Sequence, residues 1–330
     1  MGEHMATRKE VADRAGVSIA VVSYVLNDSN YVKEETRRKV LQAIEELGYE
    51  TNMAARALKM RKTEQLAVLI NHLGNPHEAG LLLRIEEHAA KHNYVLFFQT
   101  FHKEQESRLK ALLHGRVDGI FLLGQSLQEE TLRHFAKLGI PVVSITTPAV
   151  PRCDHVTSID LDWTAEYRKL IRLLKAKGHE RIAYMAIGDP EHPLSHRLKA
   201  FRQAMEQERL PLAEPDIFYA DGGLQTAHEA IRTKVTAPGR FTAIVGANDL
   251  MAAGIVAACR ASGVRIPQEL AVAGSEDILM SSQTAPPLTV IHYPREKVGE
   301  IAMEVMLDKM RKRPASDRIL QAEIVERASL

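Results

Sequence analysis

Ile19, Ala20, Ser23, Tyr24 and Asn27 fall on one stripe of a 3.6-residue repeat, while Val21, Val22, Val25 and Leu26 share the other. The first stripe carries hydroxyls, an amide and small apolar surfaces. They supply hydrogen bonds and methyl contacts, the means by which a helix reads base edges. For that stripe to face outward, the valine stripe must be buried against something. Two further short helices are predicted to bury it. One runs from Lys9 to Ala15, ahead of a break at Gly16. The other starts at Lys33, carries Val40, Leu41, Ile44 and Leu47 on one face, and stops at Gly48. Ser18 stands where the middle helix needs a capping oxygen. The pieces fit a helix-turn-helix, although any three-helix bundle shows such faces.

Reactive groups elsewhere are sparse. The chain lacks G-x-G-x-x-G, a P-loop, G-x-S-x-G and H-E-x-x-H, so no strong local motif supports catalysis. His88 and His92 are four residues apart on a predicted helix, a zinc-compatible spacing, but Glu86, Glu87 and Lys91 beside them describe a solvated face. Cys153 with His155 points to a site no more strongly. Cys153 and Cys259 are too few and too far apart for a disulfide framework, which fits a reducing compartment. Neither a metal nor a cofactor is expected.

Composition is that of an ordinary globular protein, 45% hydrophobic and 26% charged with a formal net charge of +1. Residues 1–62 hold eleven Lys or Arg against nine Asp or Glu, so affinity for a polyanion must come from placement rather than total charge. The N-terminus has no apolar stretch of a signal peptide, and no apolar run is long enough to span a bilayer, so the expected location is the cytoplasm and no membrane partner is expected.

From Leu66 onward, short apolar runs alternate with amphipathic segments. LAVLI (66–70), YVLFF (94–98), DGIFLL (118–123) and PVVSI (141–145) read as strands covered on both faces. Segments 79–92 and 129–138 have helical length and period between them. A second set, RIAYMAI (181–187), FTAIVGA (241–247) and LAVAGSE (270–276), repeats the scheme. Such βα order predicts a doubly wound body of two lobes with a cleft between them.

The run AGVSxxxVSxVLN at 15–27, then ETRRKVLQAIEELGY and N-x-x-A-R-x-L at 52–58, resembles the LacI family of bacterial transcriptional regulators. RVDGIFLL, LGIPVVSI, KGHERIAY, RLKAFRQAM, ANDLMAAG and PPLTVI extend the resemblance through the body. It implies an α+β multidomain chain. Residues 1–50 form a three-helix headpiece, 51–62 a hinge helix or linker, and 63–330 a two-lobed, periplasmic-binding-protein-like domain for effector binding and dimerisation. Crossovers between lobes are expected near 160–165, 291–293 and close to the C-terminus.

By motif position, the resemblance places Ile19, Ala20 and Tyr24 on base edges and Thr7, Ser18, Ser23, Asn27, Thr36 and Tyr49 among phosphates. Asn52, Ala55 and Leu58 belong to the hinge, with Leu58 as an apolar wedge that kinks the duplex. Read without the resemblance, residues 51–62 are better taken as a plain flexible linker. The family often has an apolar residue where Arg8 stands, an Asp for Glu10 and a Pro for Thr51. Its partners would be operator DNA, a second copy of the chain and a small effector. No leucine heptad tail is present to build a tetramer. The expected function is that of a ligand-responsive regulator, a repressor by the commoner family outcome, working as a homodimer on a near-palindrome.

Sugar-binding members commonly carry Asn-Pro-Phe-Phe where this chain has Asn75, Pro76, His77 and Glu78. Thr146 and Glu276 stand where aspartates are usual, while Arg197, Asn248 and Asp249 keep the family's arginine and AND positions, and Tyr293 lies at the second crossover. Arg197 offers a fork for a carboxylate, a phosphate or a vicinal diol. These changes favour a phosphorylated or acidic metabolite. The alternatives are a cleft left degenerate by Arg197 pairing with Asp249 or Glu276, or a solute-binding protein, which the headpiece opposes.

Overall fold

The computed structural model describes residues 6–26, 31–50, 62–101, 103–124, 126–146, 155–188, 196–236 and 240–330. They form two compact units, Met1–Thr63 and Glu64–Leu330. In the first, α1 (Arg8–Ala15), α2 (Ile19–Leu26) and α3 (Glu34–Leu47) close around Val11, Ala12, Val22, Val25, Val40 and Ala43. Gly16 and Gly48 end α1 and α3 with φ of 67° and 57°, a left-handed conformation that costs glycine little. Leu41 departs from the expected core face and is 52% exposed. At 100° per residue it turns away from its neighbour Val40, and Ala43 takes the buried place instead.

The second unit begins with β1 (Gln65–Ile70), α4 (Pro76–Ala90), β2 (Val95–Thr100) and α5 (Glu106–Leu113). Then come β3 (Gly119–Leu123), α6 (Glu129–Lys137), β4 (Val142–Ile145) and β5 (Val156–Leu161). The next lobe holds α7 (Trp163–Ala176), β6 (Ile182–Ile187), α8 (His196–Gln207), β7 (Ile217–Ala220) and α9 (Leu224–Ile231). It continues with β8 (Ala243–Gly246), α10 (Asp249–Ala261), β9 (Ala271–Gly274), α11 (Leu279–Gln283) and β10 (Thr289–His292). The chain closes with α12 (Arg295–Met310), β11 (Arg318–Leu320) and β12 (Glu323–Val325).

One sheet has the order β11-β5-β4-β3-β1-β2, all parallel, and the other β12-β10-β9-β8-β6-β7, parallel except for β12 against β10. The chain therefore changes sheet three times, between β5 and α7, between β10 and α12, and between β11 and β12. Fully buried β1 and β3 explain why their sequences read as continuous apolar runs. YVLFF does not follow that rule. It forms the end strand β2, whose Val95, Phe97 and Phe98 are exposed, because among the described residues no further strand pairs with that edge. Among the described residues no helix is long and apolar enough to cross a membrane.

Returning from the second lobe, α12 packs on α4 of the first. The helices meet so closely that a Cβ on Gly299 would lie 2.7 Å from Arg84 Cβ and 2.9 Å from its backbone. Gly299→Ala should therefore lower stability by about 1–3 kcal/mol through overpacking. Thermal unfolding checks this, and an unchanged midpoint would show that the two helices are free to part.

Candidate functional site

On α2 the exposed and buried stripes separate as the periodicity requires. Val22 and Val25 are buried, whereas Ile19 is 49% and Tyr24 51% exposed, with Ala20 exposed and Ser23 half-buried beside them. Two large apolar or aromatic side chains in water on one eight-residue helix form a contact surface rather than a core. Ser18 accepts the Val21 amide at 3.4 Å, a loose cap for the start of this helix. Thr36 lies half-buried in the first turn of α3.

Thr7 is committed locally. Its amide and hydroxyl both donate to Glu10 Oε2, at 2.6 and 2.8 Å, and its Oγ1 accepts the Glu10 amide, completing a capping box. Tyr49 is buried against the headpiece core with its hydroxyl accepting from Arg8 Nε at 3.0 Å. Asn27, Asn52, Ala55 and Leu58, and with them the hinge, lie outside the described residues.

In the body, side chains at the C-terminal ends of the strands and at the crossovers gather where the two sheets face each other. This is the usual ligand position in open α/β sheets. Arg197, in the first turn of α8, is only 7% exposed. Its Cζ lies 4.0 Å from the centroid of the Trp163 ring, and its Nη1 donates to the Ala247 carbonyl and to Glu276 Oε1 at 3.1 Å. Trp163 donates Nε1–H to Asp160 Oδ1 at 3.1 Å and stacks on Tyr293, which meets His77 edge to face with centroids 4.7 Å apart. Arg295 reaches the carbonyls of Glu276 and Asp277 and lies 3.4 Å from His77 Nδ1.

Burial sets the protonation states here. It raises Glu276 to about 7 despite the opposing pull of Arg197, and Asp160 to about 6 despite its hydrogen bonds. It lowers His196 to about 4 and His77 well below the ordinary imidazole value, with Arg197 adding to both shifts. Both imidazoles are therefore neutral at pH 7, while Glu276, raised to about 7, is only partly ionised there. Three buried polar atoms around this cleft have no hydrogen-bond partner among the described residues: His77 Nε2, His196 Nε2 and Tyr293 Oη. Buried polar groups are rarely left so, and three in one cleft mark a place for a hydrogen-bonding ligand.

His77, Arg197, Glu276 and Tyr293 come together as the sequence suggested, and the Arg197 pair is made with Glu276 and not with Asp249. Asp249 is wholly buried and accepts the amides of Ser275, Glu276 and Ile278 and the Ser281 hydroxyl, fixing the turn that carries Glu276. Asn248 caps α10 through the Met251 amide and donates to the Gly222 carbonyl at 2.9 Å. Glu78 binds the Asn71 and His72 amides after β1. These three shape the cleft from behind. Thr146 is buried with φ of 66°, unusual for a β-branched residue, just beyond β4. Sequence reasoning missed Asp160, Trp163, His196 and Arg295. The signal available was position, since Asp160 and Trp163 lie in the first crossover, His196 beside Arg197, and Arg295 just after the second crossover. Cys259 is buried and its thiol is pushed up to about 12 by burial, the opposite of a reactive thiolate.

Residues 7–52 match the family described as bacterial regulatory proteins, lacI family, and residues 171–330 match the periplasmic binding protein-like domain. The chain is 31% identical to the HTH-type transcriptional repressor PurR of Aliivibrio fischeri (strain ATCC 700601 / ES114), covering 99% of this chain and 98% of that one. It is 29% identical to catabolite control protein A of Priestia megaterium over 94% and 95%. A lac repressor dimer bound to operator and the anti-inducer ONPF superposes with a TM-score of 0.86 at 24% identity, covering 99% of each chain. The transcriptional regulator CelR–cellobiose complex gives 0.72 at 26%, covering 98% and 99%.

The raised Asp160 pKa has a consequence for stability. Because the folded state favours the protonated acid, the residue's stabilising contribution is full below the ordinary value of 3.8 and is lost as pH rises to about 6. Asp160→Asn should therefore gain stability relative to the parent across that interval and hold the gain above it. Denaturant melts at a series of pH values check the sign, and a gain that shrinks with rising pH would refute it.

Proposed function

The chain belongs to the LacI family of bacterial regulatory proteins, and from that premise we propose a ligand-responsive, sequence-specific DNA-binding repressor acting as a homodimer on a near-palindromic operator. The observation that carries this reading is the exposed face of α2, where Ile19, Ala20 and Tyr24 stand over a buried valine stripe within residues matched to the family's DNA-binding region. None of the three is the Arg, Lys, Asn or Gln that makes bidentate base contacts. Readout therefore leans on thymine methyls, on one tyrosine hydroxyl and on DNA deformability. Ser18, Ser23 and Thr36, with Asn27, serve the phosphates, and Asn52, Ala55 and Leu58 are the positions to which the family resemblance gives the minor-groove contact. Binding, and not catalysis, is the work of the molecule.

The second copy docks on the uncovered edge of the first sheet. There β2 and α4 leave a groove of about 420 Å³ lined mainly by Ile70, Leu73, Leu82, Leu83, Leu96 and Phe98, with His72, Glu78 and Glu86 also lining it, an apolar surface of the kind that packs against a partner. The structure similar to this chain and described as a lac repressor dimer supports the same stoichiometry. Leu83→Glu should give a monomer in sedimentation and weaken duplex binding, since each charge so buried costs roughly 1–3 kcal/mol of association. An intact dimer would place the interface elsewhere.

The cleft takes an uncharged ligand rich in hydroxyl or N–H groups. Arg197 is already stacked on Trp163 and paired with Glu276, and Arg295 is engaged by the carbonyls of Glu276 and Asp277, so neither guanidinium offers an uncommitted fork to a phosphorylated or acidic metabolite. His77, His196 and Tyr293 offer the open hydrogen bonds instead. Cellobiose in the CelR complex is a ligand of this kind. Thermal-shift screening should show stabilisation by neutral sugars or polyols, and a larger effect of their phosphorylated forms would overturn the assignment.

A further inference from the structure

Arg8 opens α1, and its Nε donates to the Tyr49 hydroxyl oxygen across 3.0 Å, joining the first helix of the headpiece to the segment after the third. Tyr49 is 9% exposed and its ring is packed with Val11, Val40 and Ala43, so the hydroxyl is fixed in place. An oxygen that accepts from Nε keeps its own proton to donate. Among the described residues neither that proton nor the two Nη groups of Arg8 has an acceptor. Two other cations of the headpiece are already paired, Arg14 with Glu46 and Lys39 with Glu35. A guanidinium held at one nitrogen, with two N–H edges and a phenol proton open beside it, is a clamp for a tetrahedral oxyanion.

We propose that Arg8 is a DNA phosphate contact, in which Tyr49 orients the guanidinium and the Nη edge and the tyrosine proton take oxygens of one backbone phosphate. The inference rests on the DNA-reading assignment, in which the first helix crosses the backbone while the second enters the groove. It gives this headpiece, whose charge is nearly balanced, a fixed ionic contact where relatives commonly place an apolar side chain.

The test is the salt dependence of binding to mixed-sequence duplex DNA, for the full-length dimer and its Arg8→Met, Arg8→Gln and Arg8→Lys variants. Each phosphate neutralised adds about 0.9 to the slope of log K against log salt, so Met and Gln should each lower the slope by about 1.8 per dimer. Gln keeps an N–H for Tyr49 and guards against a misfolded Met variant, with circular dichroism melts confirming the fold of each. Lys keeps the charge and should keep the slope. Unchanged slopes for Met and Gln, or a loss in Lys equal to that in Met, would overturn the proposal and leave Arg8 a prop for Tyr49. A parent protein that binds no duplex would instead remove the DNA assignment, and this proposal with it.

Discussion

A guanidinium buried to the extent of Arg197 is tolerated only if its charge is met on every side, and the body is arranged to meet it. Trp163 offers a ring face, Ala247 a carbonyl and Glu276 a carboxylate. Each comes from a different part of the chain, namely the first crossover, the end of β8 and the turn after β9. Removing one partner would leave a buried charge uncompensated, at a cost of several kcal/mol. The same contacts hold Tyr293 and His77 in reach, so the lobes meet at a junction whose geometry depends on the state of one ion pair. Asp249 acts behind it, holding three amides of the Glu276 turn so that the carboxylate cannot retreat. A ligand that completes the open hydrogen bonds of His77, His196 and Tyr293 touches groups from both lobes and can change their relative angle.

The headpiece solves a different problem with little net charge. Its recognition helix shows Ile19 and Tyr24 to solvent, and its ion pairs are mostly internal. Thr7 and Glu10 close the start of α1 on themselves. Affinity must then come from a few well-placed donors rather than from total charge.

Much of this was legible in the amino-acid order. The apolar runs marked seven of the strands because strands buried on both faces need continuous hydrophobicity, and Gly16 and Gly48 marked helix ends because their backbone is left-handed. The exposed β2 was misread, since an apolar strand looks the same whether its own chain or a second copy covers it. Asn248 and Asp249 were assigned to the ligand because a motif locates a residue without saying which way its side chain turns. Asp160, Trp163 and Arg295 escaped notice because they join the site through crossovers far apart in sequence, where no spacing signals proximity. The prior engagement of Arg197 by Trp163 and Glu276 was illegible for the same reason, being a property of the assembled site.

The central claim is that one molecule couples the cleft to the headpiece. Trp163 is the single tryptophan of the chain and lies under Arg197 at the cleft floor, so its emission reports occupancy. The decisive measurement is the affinity for the neutral sugar or polyol that stabilises the protein most, read by Trp163 fluorescence with and without saturating operator duplex. Coupling between sites requires the two dissociation constants to differ, by about 5- to 150-fold for an ordinary allosteric protein. Equal constants would contradict the account.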